Sequence, residues 1–531
     1  MPNPLNARVY LVGGGIASLS AAAFLVRDAG VRGENITIFE QLSVTGGSMD
    51  GARSPTTEGG YVTRGGRMFE EEYYVCLWNL LETIPTIEND TISVREEFLA
   101  FNRQNPTNAK ARIILEDHSI PDASRLGLDT RDRADMTRLL ALPEHVIGAR
   151  RIDEFFQPHF FDTNFWCMWR STFAFQTWHS AIELKRYFLC FIQEFPRIHT
   201  LSGVRRSKYN QYDSVIYPIQ KWIEGRGVKI DFGVTVTDVD FAAADARRAT
   251  RIHFHRADGK PETVDLGPDD YVFITNGSMT ADTTYADSTT VPELILDQRD
   301  GSWRLWETLA KKAPDFGRPN VFNGNIQETK WESFTLTMQG SRLLDRIQEF
   351  SGNVPGEGAL MTWKDSKWLL SIVVPKQPHF RNQEPGTYTL WGYSLFGDVE
   401  GDYVKKKMDD CTGREILDEL LGHLGFEDIV DEVRATTKVT TVQMPYIDAQ
   451  FERRVVEDRP LVVPRGAENY AFISQFVEIP EAVVFTVEYS VRAAMMAVYH
   501  HFGLDEKNIP KLYHGLSDPK VAWTALKTAF D

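Results

Sequence analysis

Two apolar runs with different periods open the chain. Residues 8–12 predict a buried strand, residues 16 to about 28 predict a helix, and a glycine triplet at 13–15 separates the two. Residues 36–39 predict a second strand, which ends at Glu40. This succession of strand, glycine turn, helix, strand and acid is the order of a dinucleotide-binding fold.

Each part of this motif has a physical role. Gly13 permits the tight turn, and Gly15 lets the backbone approach a pyrophosphate that the helix N–H groups then face. Glu40 would accept hydrogen bonds from the ribose hydroxyls. Ser18 stands at the third glycine position and is small enough for close packing. The alternative is a glycine-rich turn in an unrelated α/β domain.

Two further glycine pairs, at 46–47 and 65–66, indicate which dinucleotide binds. FAD is longer than NAD, and its ribityl and flavin parts need close approach of the backbone beyond the first turn. Arg64 and Arg67 flank the second pair and could bind the pyrophosphate or line the flavin. Ordinary loops are the alternative, but we expect FAD.

The apolar run at residues 9–26 also has the length of a signal peptide, but only Arg8 supplies a positive charge before it and the glycines divide it. We therefore expect a strand and a helix of a folded domain. No other uncharged stretch approaches the roughly 20 residues that span a bilayer. We expect a cytoplasmic protein, or one peripheral to a membrane.

Distant segments must complete the cofactor domain. Residues 228–236 and 238–241 predict paired strands, and residues 270–275 predict a buried strand that ends in an Asn-Gly-Ser turn. Near the end of the chain, residues 469–476 predict a strand and residues 483–499 an apolar-faced helix.

We predict an α/β protein in which a Rossmann-like FAD-binding domain, of the glutathione-reductase type, interleaves with a mixed α+β substrate domain and a helical C-terminal segment. The FAD-binding domain is predicted at residues 1–70, 200–288 and 440–500, the substrate domain at 71–199 and 289–439, and the C-terminal segment at 501–531.

Composition narrows the function without defining it. The 531 residues are 42% hydrophobic and 25% charged, which is typical of globular proteins. Lys+Arg 58 against Asp+Glu 74 give a net charge of −16, which argues against nucleic acid as a partner. The four scattered cysteines suit neither a disulfide framework nor a metal site, and they favour a reducing compartment.

Ten aromatic residues lie between residues 155 and 178. Most of them should belong to the core, because large aromatic side chains are usually buried. The functional alternative is an apolar tunnel for a long hydrocarbon chain. Composition alone leaves both interpretations open.

Several long motifs, in order along almost the whole chain, resemble one known family. They are VYLVGGGIASLSAAAFLVRD at 9–28, GGSMDG at 46–51, GYVTRGGR at 60–67, TNFW at 163–166, FAFQTWHS at 173–180, YNQYDS at 209–214, KDS at 364–366, QPHF at 377–380 and FISQFVEIP at 472–480. The chain thus resembles the FAD-dependent oleate hydratases, formerly called myosin-cross-reactive antigens.

The resemblance implies addition of water across a cis double bond of a free unsaturated fatty acid, as from oleic to 10-hydroxystearic acid. The reaction has no net redox change, so the FAD is expected to serve structure and electrostatics, with its reduced form the more active one. An isolated alkene is a poor base, so a proton donor must lie against one carbon while water attacks the other.

The family's proton donor is a tyrosine on the helix after the Trp-His-Ser motif, and Tyr187 stands at that position. Most relatives have a water-activating glutamate directly after Arg-Gly-Gly-Arg, and here that position is Met68, which cannot accept a proton. Three alternatives remain: water held by backbone and flavin, which we favour; rescue by Glu70 or Glu71; or an altered activity. By themselves these acids predict the solvated start of a helix.

The resemblance also implies the site of the substrate carboxylate. The family's Asn-Gln-Tyr-Asp glutamine is Gln211, and its Thr-x-Asn-x-x-x-His cluster maps onto Val373, Pro375 and His379. Only Gln211 and His379 keep the family's residue types, so the head-group contacts differ here. Without the resemblance, His379 would be interpreted as a core histidine.

The motif and the resemblance together predict the cofactor-binding residues. They are Gly13, Gly15, Ala17, Ser18, Glu40, Gln41, Gly47, Ser48, Arg64, Gly65, Gly66, Arg67, Val236, Thr275, Asn276, Gly277, Ser278, Phe476 and Glu478.

Two other classes of function stay open beside the hydratase. One is a flavin-dependent isomerase or oxidoreductase acting on fatty acids, and the other is a lipid-binding flavoprotein without activity, which Met68 favours and Tyr187 opposes. The expected partners are an unsaturated fatty acid and water, with contact to a membrane surface. A monomer and a homodimer are both compatible with the sequence.

Overall fold

The structure is a computed structural model that describes residues 3–242, 247–358 and 360–530. The predicted domain ranges also include residues 1, 2, 243–246, 359 and 531, which lie outside the described residues. The strands are β1 Val9–Val12, β2 Ile36–Glu40, β3 Ala52–Arg53, β4 Tyr61–Val62, β5 Phe69–Glu70, β6 Ile113–Ile114, β7 Val204–Arg205, β8 Lys229–Phe232, β9 Thr235–Phe241, β10 Ala249–His255, β11 Pro261–Asp265, β12 Tyr271–Ile274, β13 Thr284–Ala286, β14 Trp331–Gln339, β15 Leu360–Trp363, β16 Ser371–Val373, β17 Thr387–Ser394, β18 Thr437–Met444 and β19 Tyr470–Phe472.

The helices are α1 Ile16–Arg27, α2 Val75–Leu81, α3 Val94–Gln104, α4 Thr130–Ala141, α5 Glu144–Ile147, α6 Pro158–Asp162, α7 Asn164–Phe173, α8 Ala181–Cys190, α9 Tyr217–Glu224, α10 Gly301–Ala310, α11 Asn320–Asn323, α12 Ile326–Thr329, α13 Arg342–Ser351, α14 Gly413–Leu424, α15 Val430–Thr436, α16 Val487–His501 and α17 Pro519–Phe530. Over the described ranges, none of these helices is both long and apolar enough to cross a bilayer.

A five-stranded parallel sheet carries the glycine turn. Its strand order is β19-β12-β1-β2-β8, so it joins segments from both ends and the middle of the chain. Val9 of β1 pairs with Ile36 of β2 on one side and Tyr271 of β12 on the other. β1, α1, β2 and β12 confirm the predicted elements, whereas the strand predicted at 469–476 is limited to β19.

A three-stranded antiparallel sheet, β11-β10-β9, packs against the parallel sheet. The ring of Phe254 on β10 stacks on Phe39 of β2, with centroids 5.1 Å apart. The prediction that residues 228–241 form paired strands was wrong, because β8 and β9 belong to different sheets: β8 pairs with β2, and β9 pairs with β10.

A seven-stranded sheet of order β13-β18-β14-β17-β16-β15-β6 forms the other half of the molecule. Every residue of β14 except the last is buried. Phe334 and Leu336 of this strand share an apolar core with Leu343 of α13 and Leu417 of α14. Because β13 and β18 belong to this sheet, the predicted segment ends at 288 and 440 do not coincide with the sheet boundaries.

The aromatic segment at 155–178 is mostly core, as its composition favours. Phe165 of α7 stacks on Trp169 with ring centroids 5.4 Å apart, and both are fully buried. Phe173, at the end of α7, instead lines a cavity. Within this aromatic segment or outside it, all four cysteines are free and buried. The segment is therefore mainly core, and of its ten aromatic residues Phe173 lines the cavity.

Candidate cofactor and substrate site

The chain turns from β1 into α1 at Gly13, whose φ is +89°. This left-handed conformation favours glycine. In addition, a Cβ at this position would lie 3.2 Å from the Cβ of Thr275. The Gly13 N–H donates to the carbonyl of Phe39, at 2.8 Å. The tight turn predicted at this glycine is present.

Gly15 and Gly47 bring two loops together. A Cβ on Gly47 would lie 3.3 Å from the Cα of Gly15, so the loop after β2 lies directly against the start of α1. Gly15 is the N-cap of α1 and supplies no side chain to cap it. The first N–H groups of this helix therefore remain available to an anion.

Glu40 lies at the carboxyl end of β2 and is almost fully buried. Its Oε2 accepts from the Gly14 N–H at 2.6 Å, and its Oε1 accepts from the Leu42 N–H at 2.7 Å. Burial raises the pKa of this carboxyl. Each oxygen keeps a further lone pair for a hydroxyl donor. Gly14 was not among the predicted residues, although a Cβ there would lie 2.7 Å from Glu40 Oε2.

Arg64 is bound within the protein. Its Nε donates to Asp50 Oδ1 at 2.9 Å, and its Nη1 donates to the carbonyl of Thr280 at 3.1 Å. Burial lowers the pKa of Arg64, but the Asp50 carboxylate outweighs burial and the net shift is upward. This arginine positions the loop around Gly47, whose carbonyl also accepts from its guanidinium.

Arg67, from the same motif, keeps its charge uncompensated. Its Nη2 donates to the carbonyl of Ser48 at 2.8 Å. No carboxylate of the described residues forms an ion pair with it, and burial lowers its pKa to about 10. Its guanidinium lies 5.8 Å from the ring centroid of Phe485.

A long cleft, which we call the glycine cleft, consists of two cavities that share Gly15, Gly47, Thr275, Gly277 and Ser278. The Oγ1 of Thr275 is buried there and has no hydrogen-bond partner in the described part of the chain. The predicted residues that line the cleft are Gly13, Gly15, Ala17, Glu40, Gln41, Gly47, Ser48, Arg64, Arg67, Val236, Thr275, Gly277, Ser278 and Phe476.

Five predicted cofactor residues do not line this cleft: Ser18, Gly65, Gly66, Asn276 and Glu478. Ser18 is fully buried in α1, and Asn276 donates from Nδ2 to the carbonyl of Phe476 at 3.2 Å. Glu478 pairs with Arg186 at 2.6 Å and with Arg454 at 3.0 Å. A buried carboxylate held by two guanidinium groups serves the core, so we withdraw Glu478 from the cofactor set.

A second space, the central cavity, opens where the glycine cleft ends, and Arg67, Phe485, Thr486 and Val487 line both. Phe485 was not predicted from the sequence. Its φ is +67°, a strained value for an aromatic residue, and its N–H donates to Gln475 Oε1 at 2.6 Å. Strain of this kind often marks a functional position.

Tyr187 of α8 lines the central cavity and is 1% exposed. Its hydroxyl donates to the carbonyl of Val484 at 2.5 Å. The rings of Phe173 and Phe175 meet it edge-on, at 5.0 and 4.9 Å between centroids. Burial raises its pKa well above the ordinary value for tyrosine, so the hydroxyl keeps its proton.

Met68 and Glu70 line the central cavity on another side. The expectation that Glu70 begins a solvated helix was wrong: Glu70 ends β5, is 5% exposed, and α2 begins only at Val75. Burial, with the carboxyls of Glu72 and Glu194 beside it, raises its pKa to about 10. Antiparallel pairing of β5 with β7 holds this segment extended.

Glu71 follows a different course from Glu70. It is exposed and forms an ion pair with Arg205, at 3.2 Å. Glu71 begins the turn that follows β5, and of these two acids only Glu70 lines the cavity.

A third space, the histidine pocket, contains Gln211 and His379 together with Val373 and Pro375. Gln211 donates from Nε2 to the carbonyls of Asp50 and Gly65, at 3.0 and 2.9 Å. Burial lowers the pKa of His379 to about 3, so the imidazole is neutral. Residues distant in sequence thus meet as the family pattern predicts.

The three spaces adjoin at the Arg-Gly-Gly-Arg loop. Gly66, Arg67 and Trp391 line both the central cavity and the histidine pocket. A Cβ on Gly66 would lie 3.2 Å from the ring of Trp391. Trp391 was not predicted, because its position on β17 carries no sign of this contact in the sequence.

The fold and the site define an α/β protein in which a dinucleotide-type glycine turn opens into a buried, largely apolar cavity. The chain belongs to the MCRA family, whose sequence profile matches residues 6–499. This confirms the family resemblance drawn from the motifs.

Two curated proteins are similar over nearly the whole chain. An oleate hydratase of Streptococcus pyogenes serotype M49 (strain NZ131) is 37% identical over 523 residues, which cover 96% of this chain and 87% of that protein. A linoleate hydratase of Lactiplantibacillus plantarum is 33% identical over 566 aligned positions, which cover 99% of each chain.

Two solved structures are weakly similar. An oxidoreductase from Methanosarcina mazei has a TM-score of 0.48 at 12% identity and covers 93% of this chain and 100% of that one. A protein from Pyrococcus furiosus has a TM-score of 0.49 at 13% identity and covers 94% and 98%. Similarities this low carry no argument about this chain.

Proposed function

We propose that this protein is a fatty acid hydratase that adds water to a cis double bond of a free unsaturated fatty acid, as in conversion of oleic to 10-hydroxystearic acid. Membership of the MCRA family and the two similar hydratases support this activity. The observation that carries the proposal is the buried, protonated hydroxyl of Tyr187 in a largely apolar cavity that adjoins a cationic pocket.

The chemistry needs a proton donor and a water molecule on opposite carbons of the double bond. The alkene takes a proton at one carbon and water bonds to the other. The added water then loses a proton, and the return of a proton to the deprotonated donor closes the cycle. The fatty acid gains one molecule of water and no electrons are exchanged. The protein must therefore supply a proton at a defined point and exclude bulk water around it.

Tyr187 is the proposed proton donor. Its high pKa keeps the proton available at neutral pH, and the rings of Phe173 and Phe175 provide an apolar wall for the hydrocarbon chain. The hydroxyl hydrogen is bonded to the Val484 carbonyl, so delivery to the substrate requires exchange of that bond.

Water activation at Met68 cannot involve proton acceptance. Glu71 is excluded as a substitute because it pairs with Arg205 at the surface. Glu70 faces the cavity, but a carboxyl with a pKa of about 10 is protonated at neutral pH and is a poor base. We therefore propose that water is held by backbone groups and the cofactor, and that the electrophilic carbon makes a strong base unnecessary.

FAD is the proposed cofactor, and the glycine cleft fits it. The buried Thr275 Oγ1 lacks a partner among the described residues, and Glu40 keeps free lone pairs. Gly13 and Gly47 have positive φ, and a Cβ on either would lie 3.2–3.3 Å from a neighbouring atom. The start of α1 would hold the pyrophosphate, and Arg67 would lie beside the flavin ring. When bound, the flavin supplies a planar polar surface that can stabilise positive charge near the double bond.

A product assay tests the proposal. The FAD-loaded protein is incubated with oleic acid in water enriched in heavy oxygen, beside a Tyr187→Phe variant that keeps its bound flavin. A hydroxy acid carrying one labelled oxygen, lost in the variant, is the expected result. A mass-neutral shift of the double bond would instead identify an isomerase, and unchanged acid would identify a binding protein.

A further inference from the structure

The histidine pocket is lined by cationic side chains without acids to balance them. Arg67, Arg206 and Lys376 all line it, and no Asp or Glu occurs among the described residues that do so. Ion pairs of these three cations with carboxylates are likewise absent from the described residues. Unbalanced positive charge in a half-buried pocket is costly unless an anion binds there.

Arg206 is the cation best placed to receive that anion. Its Nη2 is buried and has no hydrogen-bond partner in the part of the chain that the structure describes. Arg67, by contrast, donates to Ser48, and Lys376 is exposed to solvent. Burial lowers the pKa of Arg206 to about 10, which accords with the lack of a carboxylate beside it.

The backbone of Arg206 is fixed from both sides. Its N–H donates to Asn102 Oδ1 at 2.8 Å, and its carbonyl accepts from Asn102 Nδ2 at 2.8 Å. Asn102 lies on α3 and is itself buried. The guanidinium is near enough to His379 for its charge to contribute, after burial, to the low pKa of that imidazole. The backbone that carries this guanidinium is thus held in place beside the pocket.

The neighbouring positions leave this role to an arginine. Val373 and Pro375 line the same pocket and have no side-chain hydrogen-bond donor. Gln211 uses its amide N–H groups on two backbone carbonyls. Of the other cations in the pocket, Arg67 already donates to Ser48 and Lys376 is exposed, so Arg206 offers the buried guanidinium N–H that is still free among the described residues.

We propose that Arg206 anchors the carboxylate of the fatty acid in the histidine pocket, so that the chain runs past Trp391 toward Tyr187. This inference rests on the proposed function. It makes the substrate a long-chain monoanion and predicts weak recognition of the uncharged alcohol of the same chain length.

An Arg206→Met variant tests the anchor, with Arg206→Lys to restore the charge and Arg205→Met as matched control. Arg205 is adjacent but pairs with Glu71 outside the pocket. For Arg206→Met we expect KM for oleate to rise about 10-fold or more, with kcat changed little, because a charge-assisted hydrogen bond is lost. Arg206→Lys should recover part of the loss, and Arg205→Met should match the parent protein.

Direct binding separates the anchor from the proposed reaction. Equilibrium binding of radiolabelled oleate should weaken in Arg206→Met by a similar factor, while oleyl alcohol should bind both proteins equally. If the parent protein binds oleate without hydrating it, and Arg206→Met still weakens binding, the function is wrong and the anchor stands. An unchanged oleate affinity in a folded, flavin-containing Arg206→Met protein would overturn the anchor, whatever the activity.

Discussion

The histidine pocket and the central cavity adjoin at Gly66, Arg67 and Trp391, yet, apart from the shared Arg67, the charged side chains that line them differ in sign. The pocket has cations without acids. The cavity has two acids, Glu70 and Glu194, and burial raises the pKa of both. Unlike the cations of the pocket, they have a partner of opposite charge, Arg197, at 3.5 and 2.5 Å. One end of the site is therefore prepared for an anion, whereas at the other end burial favours neutral groups beside an apolar chain.

The same contrast appears inside one motif. Arg64 and Arg67 are three residues apart, but only Arg64 has a carboxylate partner, Asp50. An arginine that is already paired positions a loop, and one that is not can respond to a ligand. Charge compensation, more than residue type, distinguishes structural from functional cations here.

The largest effect should come from removing the proton donor. In Tyr187→Phe we expect kcat to fall about 100- to 10,000-fold with little change in KM, because the ring is kept and only the hydroxyl is lost. Steady-state kinetics on flavin-containing protein measure this. Arg206→Met should show the reverse pattern, with KM changed and kcat retained. If KM for Tyr187→Phe rose as much as kcat fell, the central cavity would not be separable from the histidine pocket as the place of catalysis and not of substrate binding.

An acid placed in the histidine pocket should abolish the contrast. Val373 is buried on β16 and lines this pocket. We expect Val373→Asp to raise KM for oleate about 100-fold. The new carboxylate would pair with the cationic side chains of the pocket and would repel the carboxylate of the substrate. Val373→Asn is the matched control, since it differs only in charge. Equal KM values for the two variants would show that the charge of the pocket does not select the substrate.

At the other end, Glu70→Gln should stabilise the protein at alkaline pH. A carboxyl whose pKa is raised from 4.5 to about 10 on folding makes the native state less stable as pH rises through that window. The glutamine mimics the protonated acid, so its melting temperature should exceed the parent's by about 2–4 °C at pH 8 and by less at pH 5. A variant less stable than the parent at pH 8 would show that Glu70 is charged.

The smallest effect concerns His379. Because burial and the Arg206 charge lower its pKa to about 3, its ring should not titrate between pH 5 and 8. The protein is labelled at the histidine ring nitrogens, and the NMR signal of His379 is identified by its absence from the His379→Gln variant. In the parent protein this signal should keep the chemical shift of a neutral imidazole from pH 5 to 8. A change in this chemical shift near pH 6.5 in the parent protein would show that the pocket is hydrated. In Arg206→Met the pKa of His379 should rise, because the neighbouring positive charge is removed.

Local rules were sufficient for the start of the chain. The glycine triplet, the apolar strands on either side and Glu40 lie within one βαβ unit, so their spacing alone predicts the turn that the structure contains. The family motifs likewise indicated Tyr187, Gln211 and His379, which line the central cavity and the histidine pocket.

Other features depend on contacts that no local pattern records. Glu70 was expected in solvent because acids suit a helix start, but pairing with β7 buries it. Glu478 was expected at the cofactor, but Arg454 and the distant Arg186, 292 residues away along the chain, bind it in the core. Each of these acids is bound by a side chain more than a hundred residues away: Gln193 for Glu70 and Arg186 for Glu478.

The sequence by itself determined the glycine turn and the parallel strands beside it, because those depend on residue type and short spacing. Its longer motifs carried the family resemblance, which in turn implies the proposed proton donor. Only the tertiary structure decided which cations remain unpaired. Arg64, Arg67, Arg205 and Arg206 look alike in the sequence, and their roles differ because burial and the presence of a nearby carboxylate are properties of the folded chain.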